Sequence, residues 1–215
     1  FKVSSIRDGE KKEVEFSEGK LLNDYNIVEN SSSNGTKIKF IPDSKIFGSY
    51  DFHDNYIEEK INDYVYLNSG LSIKYNSKTF YSENGLRDLL ESKTNEDKIR
   101  YPIIHLKNDD IEIAITHSNQ YGEEYYTFVN GQNTVQGGTH LSAFKEALTK
   151  TVRDFYKKDL DAVDIRGSII GAISIKVQNP IFESQTKTKL GSLDMGPKGP
   201  TVRVAFNEFL TNKLD

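Results

Sequence analysis

Apolar and polar residues alternate along some parts of the chain and recur at helical spacing along others. Residues 36–41, TKIKFI, place Ile38 and Phe40 on one side of an extended chain, which predicts a half-buried strand. Residues 55–66, NYIEEKINDYVY, carry apolar side chains at intervals of three and four, which predicts a helix that ends before Gly70. The chain therefore has the mixed pattern of an α+β protein.

The longest helical pattern follows the pair Gly137-Gly138. Thr139 is placed to cap the first turn, because a threonine hydroxyl can accept a backbone N–H there. His140 is interpreted as a hydrogen-bonding partner at the helix end and not as a catalyst. One apolar stripe at intervals of three and four predicts a long helix with a buried face: Leu141, Phe144, Leu148, Val152 and Phe155.

Shorter patterns complete the predicted elements. Asp8-Gly9 lies between two partly alternating arms, which is typical of a tight hairpin. A small antiparallel sheet is expected within residues 103–130, and residues 168–177, SIIGAISIKV, alternate like a strand buried on one face after a turn capped by Asp164. Strands are further expected at 71–75, 103–106, 111–117 and 125–130, and helices at 85–91 and 202–214.

Composition limits the function classes. The 215 residues are 36% apolar and 28% charged, typical of a globular protein able to bury one large or two modest cores. The absence of cysteine excludes disulfides, thiolate metal sites and a cysteine nucleophile. The net charge of −4 argues against a wholly basic nucleic-acid binder but allows a local basic face. The four histidines lack ligand-like spacing, so no metal site is expected: His53, His105, His117 and His140.

No apolar run is long enough to span a bilayer and no export leader is visible, so a cytoplasmic protein with no membrane partner is expected. The first residue is Phe1, which indicates that a segment has been removed upstream. Phosphate-loop, dinucleotide-binding, nucleophile-elbow and zinc-protease motifs are missing, so the chain is not expected to be a complete enzyme.

A polar, cationic stretch, QTKTK, follows the apolar run that ends at Pro180. In extended backbone Gln185, Lys187 and Lys189 project to the same side, and an amide beside an ammonium group can hold a terminal phosphate. The alternative is an exposed basic loop without a ligand. The residues alone leave both interpretations open.

Four segments of the sequence favour the phosphate-binding interpretation, because they resemble a known family. SSNGTKIKFIPDSKIF, YVYLNSGLSIKY, FVNGQNTVQGGTHLSAFKEALTKTV and AISIKVQNPIFESQTKTKLGS resemble, in order and spacing, the B subunit of bacterial type IIA DNA topoisomerases, the family of DNA gyrase and topoisomerase IV. The resemblance covers essentially the whole chain. The segment KLGSLDMGPKGPTVR is more similar in sequence to topoisomerase IV than to gyrase.

The resemblance implies a fold and a set of site residues. Residues 1–75 would be the C-terminal portion of a GHKL ATPase sandwich, and 76–215 a transducer domain similar to ribosomal protein S5 domain 2, with a left-handed crossover. Gln185 and Lys187 match transducer residues that contact the γ-phosphate of ATP, and Lys187 is the expected catalytic contact. In the first part, Gly35-Thr36 matches the end of the nucleotide site near adenine, and Arg7 matches an arginine at the pocket rim; an exposed hairpin charge is its alternative.

The resemblance also implies what the chain does with its partners. The parent protein would use ATP with Mg²⁺ to close two B subunits around double-stranded DNA, together with the A subunits of an A2B2 heterotetramer. The catalytic glutamate, magnesium-binding asparagine and DxGxG motif of the family are not found in this sequence. The chain alone is therefore expected to be monomeric, to bind no nucleotide or metal, and not to hydrolyse ATP.

The role of three basic helix residues and two rival functions remain open. Lys145, Lys150 and Arg153 on the long helix are candidates to face DNA, and a solvated surface is their alternative. A stand-alone S5-like module that binds RNA or protein is the rival function from another class. A transducer from a mismatch-repair or Hsp90-type ATPase is a second rival, which QTKTKLG after a GGTHL helix disfavours.

Overall fold

The computed structural model describes residues 1–28, 33–95 and 98–214, and these residues form two compact units, Phe1–His53 and Asp54–Asp215. The segment SSSNG, residues 31–35, is expected from its composition to be a loop, and it lies partly outside the described residues. None of the described helices is both long and apolar enough to cross a membrane.

The first unit is a four-stranded antiparallel sheet with strand order β3-β2-β1-β4. Its strands and one short helix are β1 Lys2–Arg7, β2 Glu10–Ser17, β3 Lys20–Val28, β4 Gly35–Lys39 and α1 Ser44–Phe47. The Asp8-Gly9 hairpin is confirmed, and positive φ angles of 53° and 85° at these two residues match a tight turn of the twist that hairpins favour. Ile38 and Phe40 are 60% and 55% exposed, so the expected half-burial of the strand predicted at 36–41 is wrong.

The second unit is built around a five-stranded sheet with strand order β10-β9-β11-β8-β7. Two helices and a hairpin come before the sheet: α2 Asp54–Leu67, β5 Ser72–Tyr75, β6 Lys78–Tyr81 and α3 Leu86–Lys93. The sheet strands are β7 Ile104–Lys107, β8 Ile111–His117, β9 Glu124–Val129, β10 Gln132–Asn133 and β11 Ile169–Ile175. The other helices are α4 Thr139–Tyr156, α5 Ala162–Arg166 and α6 Val202–Leu214.

The sheet is mixed, which corrects the expected antiparallel arrangement. β11 pairs with β8 in antiparallel and with β9 in parallel orientation, so the long connection through α4 and α5 returns the chain beside β9. Helices cover both faces of β11. Ile169 and Ile173 pack with α4 and α6, whereas Ile170 and Ala172 pack with α3. The expectation that this strand is buried on one face is therefore wrong.

Helix ends also differ from the prediction. α4 is capped by Gly138 and not by Thr139, and the hydroxyl of Thr139 donates to the Ser192 carbonyl instead. Asp161, and not Asp164, caps α5 through a 2.9 Å bond from the Val163 N–H. The stripe of α4 is buried at Phe144 and Leu148 but leaves Phe155 72% exposed, so the predicted buried face does not continue to the end of the helix.

The two compact units divide at residues 53 and 54, whereas the sequence places its domain boundary at 75. α2 belongs with the second unit because it packs on α3 and on the β5–β6 hairpin. The assignment of 1–75 to an ATPase domain and of 76–215 to a transducer domain stays a prediction.

Candidate functional site: a cationic loop supported by a helix

The QTKTK stretch lies at the tip of a loop whose two arms are hydrogen-bonded to each other. The Glu183 N–H donates to the Lys189 carbonyl at 3.0 Å, and Phe182 forms a bridge with the buried Leu190. At the tip the Lys187 N–H donates to the Ser184 carbonyl at 3.0 Å, which closes a turn. Lys187 has a φ of 56°, in the left-handed region, so the extended backbone expected across this stretch is wrong at that residue.

One arm of the loop is attached to the start of α4. The Leu190 N–H donates to the Gly137 carbonyl at 3.0 Å, and the Leu190 carbonyl accepts the Thr139 N–H at 3.1 Å. The Thr139 hydroxyl adds a 2.6 Å bond to the Ser192 carbonyl. A short parallel bridge between Gly138 and Leu190 thus joins the loop to a helix that is itself part of the core.

Only glycine fits at position 138. Its φ is 128° and its ψ is −157°, a region that residues with a side chain avoid. A Cβ atom there would lie 2.3 Å from the Leu190 carbonyl oxygen and 2.5 Å from its nitrogen. Sequence reasoning identified the Gly-Gly pair as a motif but missed this role. The signal was present, because two adjacent glycines just before a helix indicate a close backbone approach.

The side chains of the loop divide into engaged and free groups. Lys189 pairs with Glu183 at 2.9 Å, and the Ser184 and Thr186 hydroxyls are 2.7 Å apart. Gln185 and Lys187 are exposed, and neither side chain has a hydrogen-bond or ion-pair partner within the described ranges. The loop therefore presents an unpaired amide and an unpaired ammonium group on a backbone that its own hydrogen bonds hold.

His140, in the first turn of α4, is completely buried. Its Nε2 lies 3.2 Å from the Thr134 hydroxyl, and its Nδ1 has no hydrogen-bond partner among the described residues. Burial lowers the pKa of His140 from 6.5 to about 4, because the charged imidazolium would lose its hydration. The ring is neutral at pH 7 and joins α4 to the segment before it, as expected of a structural histidine.

Acidification should destabilise the protein through His140. Below pH 6.5 the unfolded chain takes up a proton that the folded ring accepts only near pH 4, so the unfolded state binds more protons and is favoured. We expect the free energy of unfolding to fall by about 2 kcal/mol between pH 7 and pH 5 on this account, as measured by urea denaturation. In His140→Gln the fall should be smaller by that amount. An unchanged pH dependence in this variant would contradict the assignment.

The candidate residues of the first unit share one end of its sheet. β4 is an edge strand, and Gly35 and Thr36 pair with Ile6 and Ser5 of β1, next to Arg7. The side-chain oxygen of Asn34 accepts a 2.7 Å hydrogen bond from the Asp8 N–H, which holds the hairpin in place.

The Thr36 side chain is exposed and has no partner among the described residues. Arg7 lies 3.6 Å from Asp8 with 87% of its side chain exposed. The structure therefore brings Arg7, Gly35 and Thr36 together in one region.

The three basic residues of α4 differ in their surroundings. Lys145 lies 2.9 Å from Glu123 and 4.6 Å from the centre of the Tyr125 ring. Arg153 donates to the Leu160 carbonyl at 2.8 Å and lies 3.6 Å from Asp159. Lys150 is exposed and has no such partner in the part of the chain that the structure describes.

Across the described ranges, no group of three or more histidine, aspartate or glutamate side chains is arranged to hold a metal ion. Phosphate binding by the cationic loop stays a prediction, supported by the side chains of Gln185 and Lys187. The free donors of the loop suit phosphate oxygens, whose charge and lone pairs match an ammonium group and an amide.

Comparisons with known proteins agree on one family. A family model described as DNA gyrase B matches residues 55–215. The B subunit of DNA topoisomerase 4 from Borreliella burgdorferi is 42% identical over 194 residues, which cover 90% of this chain and 32% of that protein. The B subunit of DNA gyrase from Cytophaga aurantiaca is 32% identical, and the match covers 98% of this chain and 50% of that protein. The chain thus spans about a third to a half of the length of these curated relatives.

A solved structure supports the same fold. The 43K ATPase domain of Thermus thermophilus gyrase B, in complex with an aminocoumarin, superimposes with a TM-score of 0.79 at 24% identity, over 99% of this chain and 63% of that one. This likeness confirms the expected α+β fold. A separate transducer domain stays a prediction.

Proposed function

Because the chain belongs to the DNA gyrase B family, we propose that it forms the part of a type II topoisomerase B subunit that senses bound nucleotide and couples it to DNA movement. The observation that carries this proposal is the loop tip, where Gln185 and Lys187 are exposed and have no side-chain partner among the described residues, on a backbone that α4 supports. A free cation at a fixed position is suited to report whether a phosphate is present.

ATP with Mg²⁺ fits the donors of this chain at two places. When bound, it supplies a γ-phosphate that is present before hydrolysis and absent afterwards. We assign the γ-phosphate contact to Lys187 and Gln185. In the first unit, we assign a hydrogen bond near adenine to Thr36, with Gly35 beside it and Arg7 at the rim. The magnesium ion is assigned to other residues of the complete B subunit, because the magnesium-binding asparagine of the family is not part of this sequence.

The coupling follows from the difference in Lys187 contacts between the two nucleotide states. A ligand shifts a conformational equilibrium only by its differential interaction with the two states. Lys187 engages phosphate in one state and is released in the other, so the loop and α4 are favoured in one position while ATP is bound. We propose that this shift closes a clamp of two B subunits on a DNA duplex, with two A subunits completing an A2B2 heterotetramer.

A topoisomerase IV-like enzyme, which relaxes and decatenates DNA, is the proposed parent. Two observations support this choice over gyrase. The chain is more similar to the Borreliella burgdorferi protein, at 42% identity, than to the Cytophaga aurantiaca gyrase protein, at 32%. The segment KLGSLDMGPKGPTVR resembles topoisomerase IV in sequence. Negative supercoiling, the gyrase activity, is the alternative.

Lys150 is the strongest of the three candidates to contact DNA. Lys145 and Arg153 already have acidic partners at 2.9 Å and 3.6 Å, so their charges are partly neutralised within the chain. A phosphate contact by either would have to compete with those partners. Lys150 has no acidic partner among the described residues, so a phosphate contact by Lys150 would not require an ion pair to be broken.

The test is ATP hydrolysis by the full-length B subunit with its A partner, measured with linked DNA circles at several salt concentrations. We expect DNA to stimulate hydrolysis, and the circles to be separated only with ATP. The apparent DNA affinity should fall steeply with salt, because each phosphate contact releases counterions. Each contact steepens the slope of the plot of the logarithm of the binding constant against the logarithm of salt concentration by about 0.9. The isolated chain is expected to show no hydrolysis.

Lys150→Gln should reduce that slope by about 0.9, and Lys145→Gln should reduce it less. ATP-dependent supercoiling of relaxed circles in place of decatenation would favour the gyrase alternative. An absence of any ATP-dependent change in DNA topology would overturn the proposed function.

A further inference from the structure

The second unit contains an apolar cavity of about 350 Å³. Its walls come from the edge strand β7, through Ile104 and Leu106, and from the inner side of α4, through Leu148 and Val152. Leu210 of α6 also lines it. A cavity of this size is within the range of roughly 300 to 1,000 Å³ that small-molecule sites occupy, and the apolar walls favour an apolar ligand.

The few polar side chains that line the cavity keep free accepting capacity, whereas their donors are already used. His117 Nε2 lies 2.9 Å from the Ile165 carbonyl, which can only accept, so Nε2 carries the proton and donates. Nδ1 of the same ring is then an acceptor, and the Tyr101 hydroxyl donates to it at 2.5 Å. The Tyr101 oxygen retains accepting capacity, and the exposed Asp164 carboxylate is a second acceptor on the wall.

We propose that this cavity binds a small, largely apolar molecule that carries one hydrogen-bond donor, either neutral or cationic, such as a simple phenol or a benzylamine. The donor matches the Tyr101 oxygen or the Asp164 carboxylate. Carboxylates and other anions are excluded, because the side chains that line the cavity offer no free donor and Asp164 repels negative charge.

The cavity does not include the loop assigned to the γ-phosphate, since no residue of 185–187 lines it. Its occupation can therefore be tested without ATP, and its failure would leave the proposed function of Lys187 untouched.

The experiment is a nuclear magnetic resonance titration of the ¹⁵N-labelled chain with phenol, benzylamine and benzoate at pH 7. Phenol and benzylamine should give saturable shifts that concentrate on the backbone around Tyr101, Ile104, Leu148 and Val152. Benzoate, which keeps the ring but replaces the donor with an anion, should give none at the same concentrations. Equal saturable shifts with benzoate would overturn the ligand class, and no saturable shift with any of the three would overturn the site.

Variants that fill the cavity provide the second arm. Leu160 also lines the cavity. Ile104→Trp and, independently, Leu160→Trp should abolish the phenol shifts, because the indole ring would occupy the space. Val163→Trp is the matched control, since Val163 is 66% exposed, lies next to Asp164 and does not line the cavity. Circular dichroism identifies any variant that fails to fold. Phenol binding that persists in a folded Ile104→Trp or Leu160→Trp variant would place the ligand elsewhere and contradict the proposal.

Discussion

Replacing Lys187 with alanine should reduce DNA-stimulated ATP hydrolysis by the full-length B subunit with its A partner by roughly 30- to 1,000-fold. The loss corresponds to about 2 to 4 kcal/mol, the range for one charge-assisted contact made in the transition state. Lys187 is the expected carrier of this contact because its ammonium group has no partner in the described part of the chain. Steady-state turnover with and without DNA measures the effect.

Two controls separate charge from conformation. Lys189→Ala removes a neighbouring ammonium that is already paired with Glu183 at 2.9 Å, so it should keep near-normal rates. Lys187→Gly also removes the charge but relieves the left-handed backbone strain at φ 56°. If the charge acts, the glycine variant should be as inactive as the alanine variant. Near-normal hydrolysis in both Lys187 variants would indicate that residues 185–189 form an exposed loop without a ligand.

The sequence predicted the helices well because helical periodicity is local. The predicted ranges 55–66, 85–91 and 202–214 lie close to α2, α3 and α6, whose buried faces repeat at intervals that neighbouring residues determine. The sheet was predicted less well. β9 and β11 pair in parallel although about forty residues separate them in the chain, and no local pattern reports such a pairing.

The failures at the candidate site have the same origin. The prediction treated residues 185–189 as an extended strand with three side chains on one side, whereas the Ser184–Lys187 turn and the Lys189–Glu183 pair redirect two of them. Both contacts join residues across a loop, and their formation depends on how Leu190 docks against Gly137 and Thr139. The residue types indicated a phosphate-binding stretch, but only the tertiary contacts distinguish the free lysine from the paired one.

Replacing Gly138 with alanine should therefore disable the loop from a distance. The new Cβ would lie 2.3 Å from the Leu190 carbonyl oxygen, and the backbone angles at 138 are ones that alanine avoids. Backbone strain of about 1 to 3 kcal/mol and a steric clash of similar size should together lower the free energy of unfolding by about 3 to 5 kcal/mol. Urea denaturation of the 215-residue chain measures this loss.

Gly137→Ala is the matched control for that change. Its φ of 66° is less costly for alanine, and the Cβ would meet the Leu141 side chain at 2.7 Å, which can move aside more easily than a backbone carbonyl. We expect it to cost about 1 to 2 kcal/mol. If the bridge between Gly138 and Leu190 positions Lys187, a folded Gly138→Ala variant of the full-length protein should also lose DNA-stimulated hydrolysis, while Gly137→Ala keeps most of it. Equal stability and equal hydrolysis in the two variants would show that the loop does not depend on this bridge, and that Lys187 acts from a position its own arms maintain.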